Sequence, residues 1–291
     1  MEYILHILIL IAIYSIVGIS LNLVVGYTGL LSIAHAGFYG IGAYTAALLA
    51  LNFHTNFLVA MTAAVIVTAA FGFLIGFPSL RIRDDFFVIA TFGFQVILFQ
   101  IMNNWMDLTH GPLGLPGIPQ PQLFGYTFTS HVDFLILAGA FAVLVFLVAR
   151  RLVKSPFGNV LRAIREDDLF AQSLGKNVNF YKIVIFSVGA GLVAIAGSLY
   201  AYYITFIDPT SFTIQESIFM LSIVIVGGAG RLSGSIIGAI LLVSIPELLR
   251  FIGMPSSIAA NMRQILYGGL LVAFMMFRPK GIFGEFSFMR D

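Results

Sequence analysis

The chain has no cysteine. Disulfides, thiolate metal sites and thiol nucleophiles are therefore excluded. Charge is nearly as scarce: Asp, Glu, Lys and Arg make up only 10% of the 291 residues, against about 25% in ordinary soluble domains. Residues 3–80 hold none of the four, a run that is stable only among lipid or other apolar helices. The 15 basic and 13 acidic residues nearly balance, which gives no reason to expect a nucleic-acid partner. Signatures of chemistry are missing too. Gly175-Lys176 is followed by Asn177 and has Phe170 where a phosphate-binding loop needs its first glycine. No zinc-protease helix or nucleophile elbow occurs, and the histidines at 6, 35, 54, 110 and 131 are scattered. Neither a metal site nor a catalytic residue is expected, and the chain reads as a non-enzyme.

What is abundant is apolar. Hydrophobic residues are 59% of the chain and mean hydropathy is +1.01, enough for eight to ten spans at about 20 residues each. Continuous apolar runs predict nine, near residues 4–26, 34–52, 57–77, 86–104, 133–149, 183–205, 214–229, 234–252 and 263–277. Outer-membrane strands would alternate polar and apolar instead. The expected fold class is all-α, a polytopic transmembrane helical bundle forming a single domain over 1–291. The start, Met1-Glu2-Tyr3, lacks the basic region of a cleaved signal peptide, so the first apolar run is expected to be retained.

Charge placement predicts orientation. Arg81 and Arg83, the basic residues of 150–182, Arg231, Arg278, Lys280 and Arg290 all fall on alternate loops; Arg250 and Arg263 dissent. The positive-inside rule then puts those loops and the C-terminus in the cytoplasm and the N-terminus outside. A shift of 201 positions lays residues 25–32 on 226–233, Gly37 on Gly238 and Pro78 on Pro279, which predicts an internal repeat with both copies pointing the same way.

Two segments lie outside the expected spans. In the loop at 150–182, Ser155 and Pro156 read as a helix start. Phe157, Val160, Leu161 and Ile164 recur at helical spacing, Arg162, Arg165, Glu166, Asp167 and Asp168 take the remaining surface, and Gly175 offers a stop. This amphipathic helix is expected at the inner face, docked on a partner protein in preference to anionic lipid because of its acidic cluster. The outer stretch 109–118 is dense in Gly and Pro and predicts turns. It serves as a contact surface for a soluble partner or as a rigid connector.

Ionisable residues within apolar runs are few. Thr213-Ile214-Gln215-Glu216 fits a capping box at the outer start of a span, the alternative being a substrate role for Glu216. Glu247 and Arg250 stand one turn apart and can pair. His35 is expected as a packed or interfacial side chain, with gating the weaker reading. No series of acidic residues crosses the layer, which argues against ion-driven transport.

The chain resembles the LivM-type permease subunits of bacterial branched-chain amino acid ABC importers. Four stretches carry this: residues 21–35 with Gly42-Ala43-Tyr44; Arg81-Ile82-Arg83-Asp84-Asp85-Phe86-Phe87 through Thr91; residues 155–166; and Gly227-Gly228-Ala229-Gly230 with Arg278-Pro279-Lys280-Gly281. The second stretch is more like this subunit type than like its partner permease. The resemblance implies the ABC importer permease fold, in the bacterial inner membrane, beside a related second permease, two cytoplasmic ATPases and an extracytoplasmic binding protein that delivers leucine, isoleucine or valine. No cofactor is implied in this chain, since ATP and magnesium belong to the ATPases. It also implies that the 150–182 loop couples to an ATPase through Ser155, Pro156, Phe157, Gly158, Arg162, Ala163, Glu166, Ala171 and Gly175, the last positions following the family pattern only loosely. His110 and Pro112 depart from the family's acidic-glycine form of the outer segment. Asn22, Thr28, Ser32 and Thr91 are the polar candidates for the translocation path. A permease of the same architecture for urea, short amides or another small polar solute is the alternative, and an ATP-independent channel or secondary carrier a remote one.

Overall fold

A computed structural model describes residues 2–80, 84–123, 125–251, 256–278 and 281–284. The chain is a bundle of helices: α1 (Glu2–Thr28), α2 (His35–Phe53), α3 (Phe57–Ser79), α4 (Asp84–Asn104), α5 (Met106–Thr109), α6 (His131–Lys154), α7 (Pro156–Glu166), α8 (Asp168–Ser173), α9 (Val178–Ile204), α10 (Ile214–Gly227), α11 (Leu232–Phe251) and α12 (Ser256–Phe277). Two tiny antiparallel pairs, Leu115–Pro116 with Phe206–Ile207 and Gln122–Leu123 with Tyr126–Thr127, tie down the Gly/Pro-rich segment, which otherwise turns as its composition predicts.

Helices α1, α2 and α9 form the centre, buried along most of their length, while α3, α4 and α6 expose Ile66, Phe73, Leu74, Ile89, Ile136 and Val143 outward. Such an apolar exterior suits lipid and not water. Small residues let the central helices touch. A Cβ on Gly42 would lie 2.5 Å from the Ala194 Cα, and one on Gly197 would enter the Tyr39 carbonyl. Backbones approach there as in other membrane helix pairs.

Six helices among the described residues are long and apolar enough to cross a membrane: α1, α2, α3, the 86–104 part of α4, α6 and α9. The expected spans at 214–229 and 234–252 become α10 and α11, which meet at 120° and pass that test only as a joined pair, making up to seven. Apolar composition alone marked them as two separate crossings; with 14 residues, about 21 Å at 1.5 Å each, α10 falls short of the bilayer core.

The 201-residue shift has a structural counterpart. It carries α1–α2–α3 onto α10–α11–α12, with the second and third helices starting within a few residues of register. Gly29, which follows the last residue of α1, and Gly230, in the turn between α10 and α11, both have positive φ, +76° and +84°, a conformation that a side chain would strain. Tyr14 lies against Glu216, Gly18 against Ile223 and Gly26 against Gly230, so α1 and α10 run the same way. Two basic segments, the α7 loop and the Arg231 turn, meet at the C-terminal end of α1, and residues 281–283 join the C-terminal end of α10, where Ile282 N donates to Val226 O at 3.0 Å. The side chains of the Glu247–Arg250 pair and of Arg263, together with Arg81, Arg83 and Lys280, lie outside the described residues.

Candidate coupling surface and membrane-interior site

Ser155 starts α7 as its sequence predicts. Its Oγ accepts from Gly158 N at 3.4 Å and donates to Leu152 O at 2.6 Å, and Pro156 takes the first helical position, where no amide is needed. Leu161 and Ile164 are buried beneath the helix, and Phe157 stacks obliquely on Tyr181 with centroids 5.1 Å apart.

One helix to Gly175 was expected, but the segment breaks at Asp167. The Asp167 carboxylate accepts from Leu169 N at 2.9 Å and Phe170 N at 3.0 Å, so an aspartate read as surface charge is the cap of a second helix, α8. The other acids are also engaged: Glu166 with Arg165 at 2.8 Å, and Asp168 with the buried Lys182. Gly175 ends the segment at φ +74°. The arginines differ from expectation as well. Arg165 reaches inward and donates from Nη1 to Gly26 O at 2.9 Å; Arg162 donates to Val153 O at 3.1 Å and lies 5.9 Å above the Tyr27 ring. Both anchor the loop on α1 and α6.

Of the nine loop positions, Pro156, Arg162, Glu166 and Gly175 are exposed, Ser155, Phe157 and Ala163 half-buried, and Gly158 and Ala171 buried. A Cβ on Gly158 would collide with the Val153 backbone, and Ala171 packs with Ile164 and Val178. The outward apolar side chains are others: Leu169 is 75% exposed, Phe170 59% and Leu174 61%. Residue periodicity missed them because it was extended through the break; the signal available was Asp167 two and three residues before a Leu-Phe pair.

Asn22, Thr28, Ser32 and Thr91 are all buried and all hold backbone. After α1 ends, residues 29–34 run without helix back into the layer, and their amides need acceptors that lipid cannot supply. Thr28 Oγ1 accepts from Leu30 N at 3.4 Å, Ser32 Oγ from Ala34 N at 3.4 Å and Thr91 Oγ1 from Ile33 N at 3.3 Å. Asn22 clamps the α10–α11 turn: Oδ1 accepts from Gly230 N at 2.9 Å, and Nδ2 donates to Arg231 O and Ser235 Oγ, each at 2.8 Å.

Two helix N-termini meet inside the layer. His35, first residue of α2, is packed with Nε2 2.9 Å from Ser20 Oγ. Ser217 Oγ accepts from Ala36 N at 3.1 Å; Gln95 Oε1 accepts from Gly37 N at 2.6 Å while its Nε2 donates to Phe212 O at 2.8 Å. Sequence reasoning passed over Gln95 and Ser217, since a lone polar residue in an apolar run carries no partner with it. The capping box expected at Thr213 is not formed: that cap makes no side-chain hydrogen bond, and Glu216 instead accepts from Tyr14 Oη at 2.6 Å, opposite the middle of α1 and not at the outer surface. Tertiary contact outcompeted the local cap because the start of α10 is drawn into the bundle.

Residues 3–275 match the family described as branched-chain amino acid transport system, permease component. The chain belongs to that family. The permease protein LivM of the high-affinity branched-chain amino acid transport system of Escherichia coli is 38% identical over 93% of this chain and 67% of its own length. The probable LivM permease of Methanocaldococcus jannaschii is 26% identical over 94% of this chain and 90% of its own. LivH, a permease protein of the Escherichia coli system, is 25% identical over 94% and 91%. The chain is thus more similar to that organism's LivM than to its LivH, as the 81–91 stretch suggested. No solved structure matches it.

Proposed function

We propose that this chain is the LivM-type membrane subunit of an ATP-driven importer of branched-chain amino acids, paired with a second, LivH-like permease. The observation that carries the reading is similarity to a LivM permease over 93% of this chain, on a polytopic helical membrane chain whose α7 loop and Arg231 turn, both basic, meet at one end. That clustering supports a cytoplasmic C-terminus, an N-terminus outside and placement in the bacterial inner membrane. The α7–α8 loop then docks a cytoplasmic ATPase through the Leu169, Phe170 and Leu174 patch with Pro156, Arg162 and Glu166 beside it, a second ATPase serving the partner permease. An extracytoplasmic binding protein delivers substrate at the opposite end.

Geometry supports a mechanical route from ATPase to membrane. Motion of α7–α8 bears on the inner end of α1 through Arg165 and Gly26, and α1 grips the α10–α11 turn through Asn22. The far end of α10 lies in the layer beside the start of α2. A rigid displacement of the loop therefore reaches the interior without unfolding, which suits alternating access: closure of the ATPase dimer on ATP opens the permease pair outward, and hydrolysis resets it inward.

The test is uptake of labelled leucine, isoleucine, valine and urea by proteoliposomes holding this chain with its co-encoded partners, with and without ATP. ATP-dependent leucine-type uptake is expected. Uptake without ATP refutes the importer, and uptake of urea alone keeps the machine but changes its cargo.

A further inference from the structure

Glu216 is a carboxyl group drawn into the membrane interior, and among the described residues no basic side chain pairs with it; its hydrogen bond comes from the Tyr14 hydroxyl at 2.6 Å. An ionisable group kept in such a place without a counter-charge is costly to ionise and is a candidate for function. Aromatic rings lie close by. Tyr14 meets Phe219 edge-on at 5.1 Å, and Ser217, next to Glu216, holds the Ala36 amide one turn before Tyr39, whose ring lies 5.6 Å from Tyr200 and 5.5 Å from Phe212 by centroid. The hydroxyl of the buried Tyr39 has no hydrogen-bond partner. Gln215 and Ile218 are exposed and Glu216 is half-buried, so this chain does not enclose the start of α10 on every side.

We infer that Glu216, framed by Tyr14, Tyr39 and Tyr200, is the point in the membrane interior at which the α-ammonium group of a passing amino acid is recognised. This rests on the amino acid importer reading. A carboxylate supplies the opposite charge, tyrosine faces attract a cation, and the free Tyr39 hydroxyl offers an acceptor for a further ammonium proton. An anion would be repelled. A divalent metal would need more ligands, and among the described residues no group of three His, Asp or Glu side chains could hold one. The arrangement also separates amino acids from urea and short amides, which carry no charge to offset the cost of burying Glu216.

The helix-tying role of Glu216 and its recognition role respond oppositely to two substitutions. Glu216→Gln keeps an acceptor for Tyr14 and nearly the same shape but removes the charge; it also imitates a permanently protonated carboxyl. Tyr14→Phe keeps the charge and the ring but removes the hydrogen bond. In the full complex in proteoliposomes, E216Q is expected to lower leucine import per ATP hydrolysed by about 10- to 100-fold, the range for lost charged hydrogen bonds, with Y14F losing far less. Equal import by E216Q and wild type overturns the inference, as does a greater loss in Y14F than in E216Q. Should E216Q fail to assemble, the native complex gives the answer: modification of Glu216 by a hydrophobic carbodiimide, read by peptide mass spectrometry, is expected to be slowed by leucine with binding protein and ATP but not by urea, and labelling unaffected by leucine overturns the inference. A wild-type complex that moves no leucine refutes the importer reading and the inference with it; a working wild type matched by E216Q refutes the inference alone.

Discussion

Asn22→Leu removes the clamp between α1 and the α10–α11 turn with little change of shape. Three hydrogen bonds go at once. The Gly230 amide is left buried without its acceptor, which costs about 1–3 kcal/mol, and the two bonds donated by Nδ2 are worth about 0.5–1.5 kcal/mol each. Arg231 O still accepts from Gly234 N at 3.1 Å, so no full penalty applies there. Leucine gains apolar burial of about 1 kcal/mol against this. The net loss expected is about 2–4 kcal/mol. It is measured by equilibrium unfolding of the purified chain in mixed detergent micelles, followed by circular dichroism. A double-mutant cycle with Ser235→Ala sharpens it: the Asn22→Leu loss should shrink by about 1 kcal/mol in the Ser235→Ala background. A loss under about 0.5 kcal/mol, or additive effects of the two substitutions, would refute the clamp. In the assembled importer the same variant should go on hydrolysing ATP while uptake falls.

Gly158→Ala drives a methyl group into the Val153 backbone, which cannot move aside as a flexible side chain would; about 1–3 kcal/mol of destabilisation is expected, seen in the same unfolding assay. Leu169→Glu with Phe170→Glu should leave that stability within about 0.5 kcal/mol, both side chains being exposed, yet abolish co-purification of the ATPase; retained co-purification would displace the docking patch. Tyr126 Oη donates to Asp133 Oδ2 at 3.0 Å, and this bond to a carboxylate raises the phenol above its ordinary pKa of 10.0, so it stays neutral to higher pH. Asp133→Asn should bring its ionisation down in pH, measured as the ultraviolet difference against a matching Tyr126→Phe protein.

The cap at Ser155 followed by Pro156 was legible in the sequence because capping is local: the donor, the acceptor and the proline lie within four residues. The same logic misread Thr213 to Glu216, where the pattern was present but Tyr14, some two hundred positions away, held the carboxyl. Asp167 was misjudged for a related reason. An aspartate serves as surface charge or as cap depending on whether the chain bends there, and the buried contacts of Ala171 with Ile164 and Val178 make it bend.

Scarcity of charge, long apolar runs and the distribution of basic residues determined by themselves that this is a helical membrane protein, since transfer of apolar surface from water depends on composition more than on contact detail. The 201-residue repeat and the family motifs could likewise be read from the sequence. Only tertiary structure decided that α10 is too short to cross alone, that Asn22, Thr28, Ser32 and Thr91 hold broken backbone, and that Arg165 reaches inward to α1 while Arg162 bonds back to α6. The physical reason is the same in each case: in a layer without water every amide must find a protein partner, and which partner it finds depends on residues brought together from distant parts of the chain.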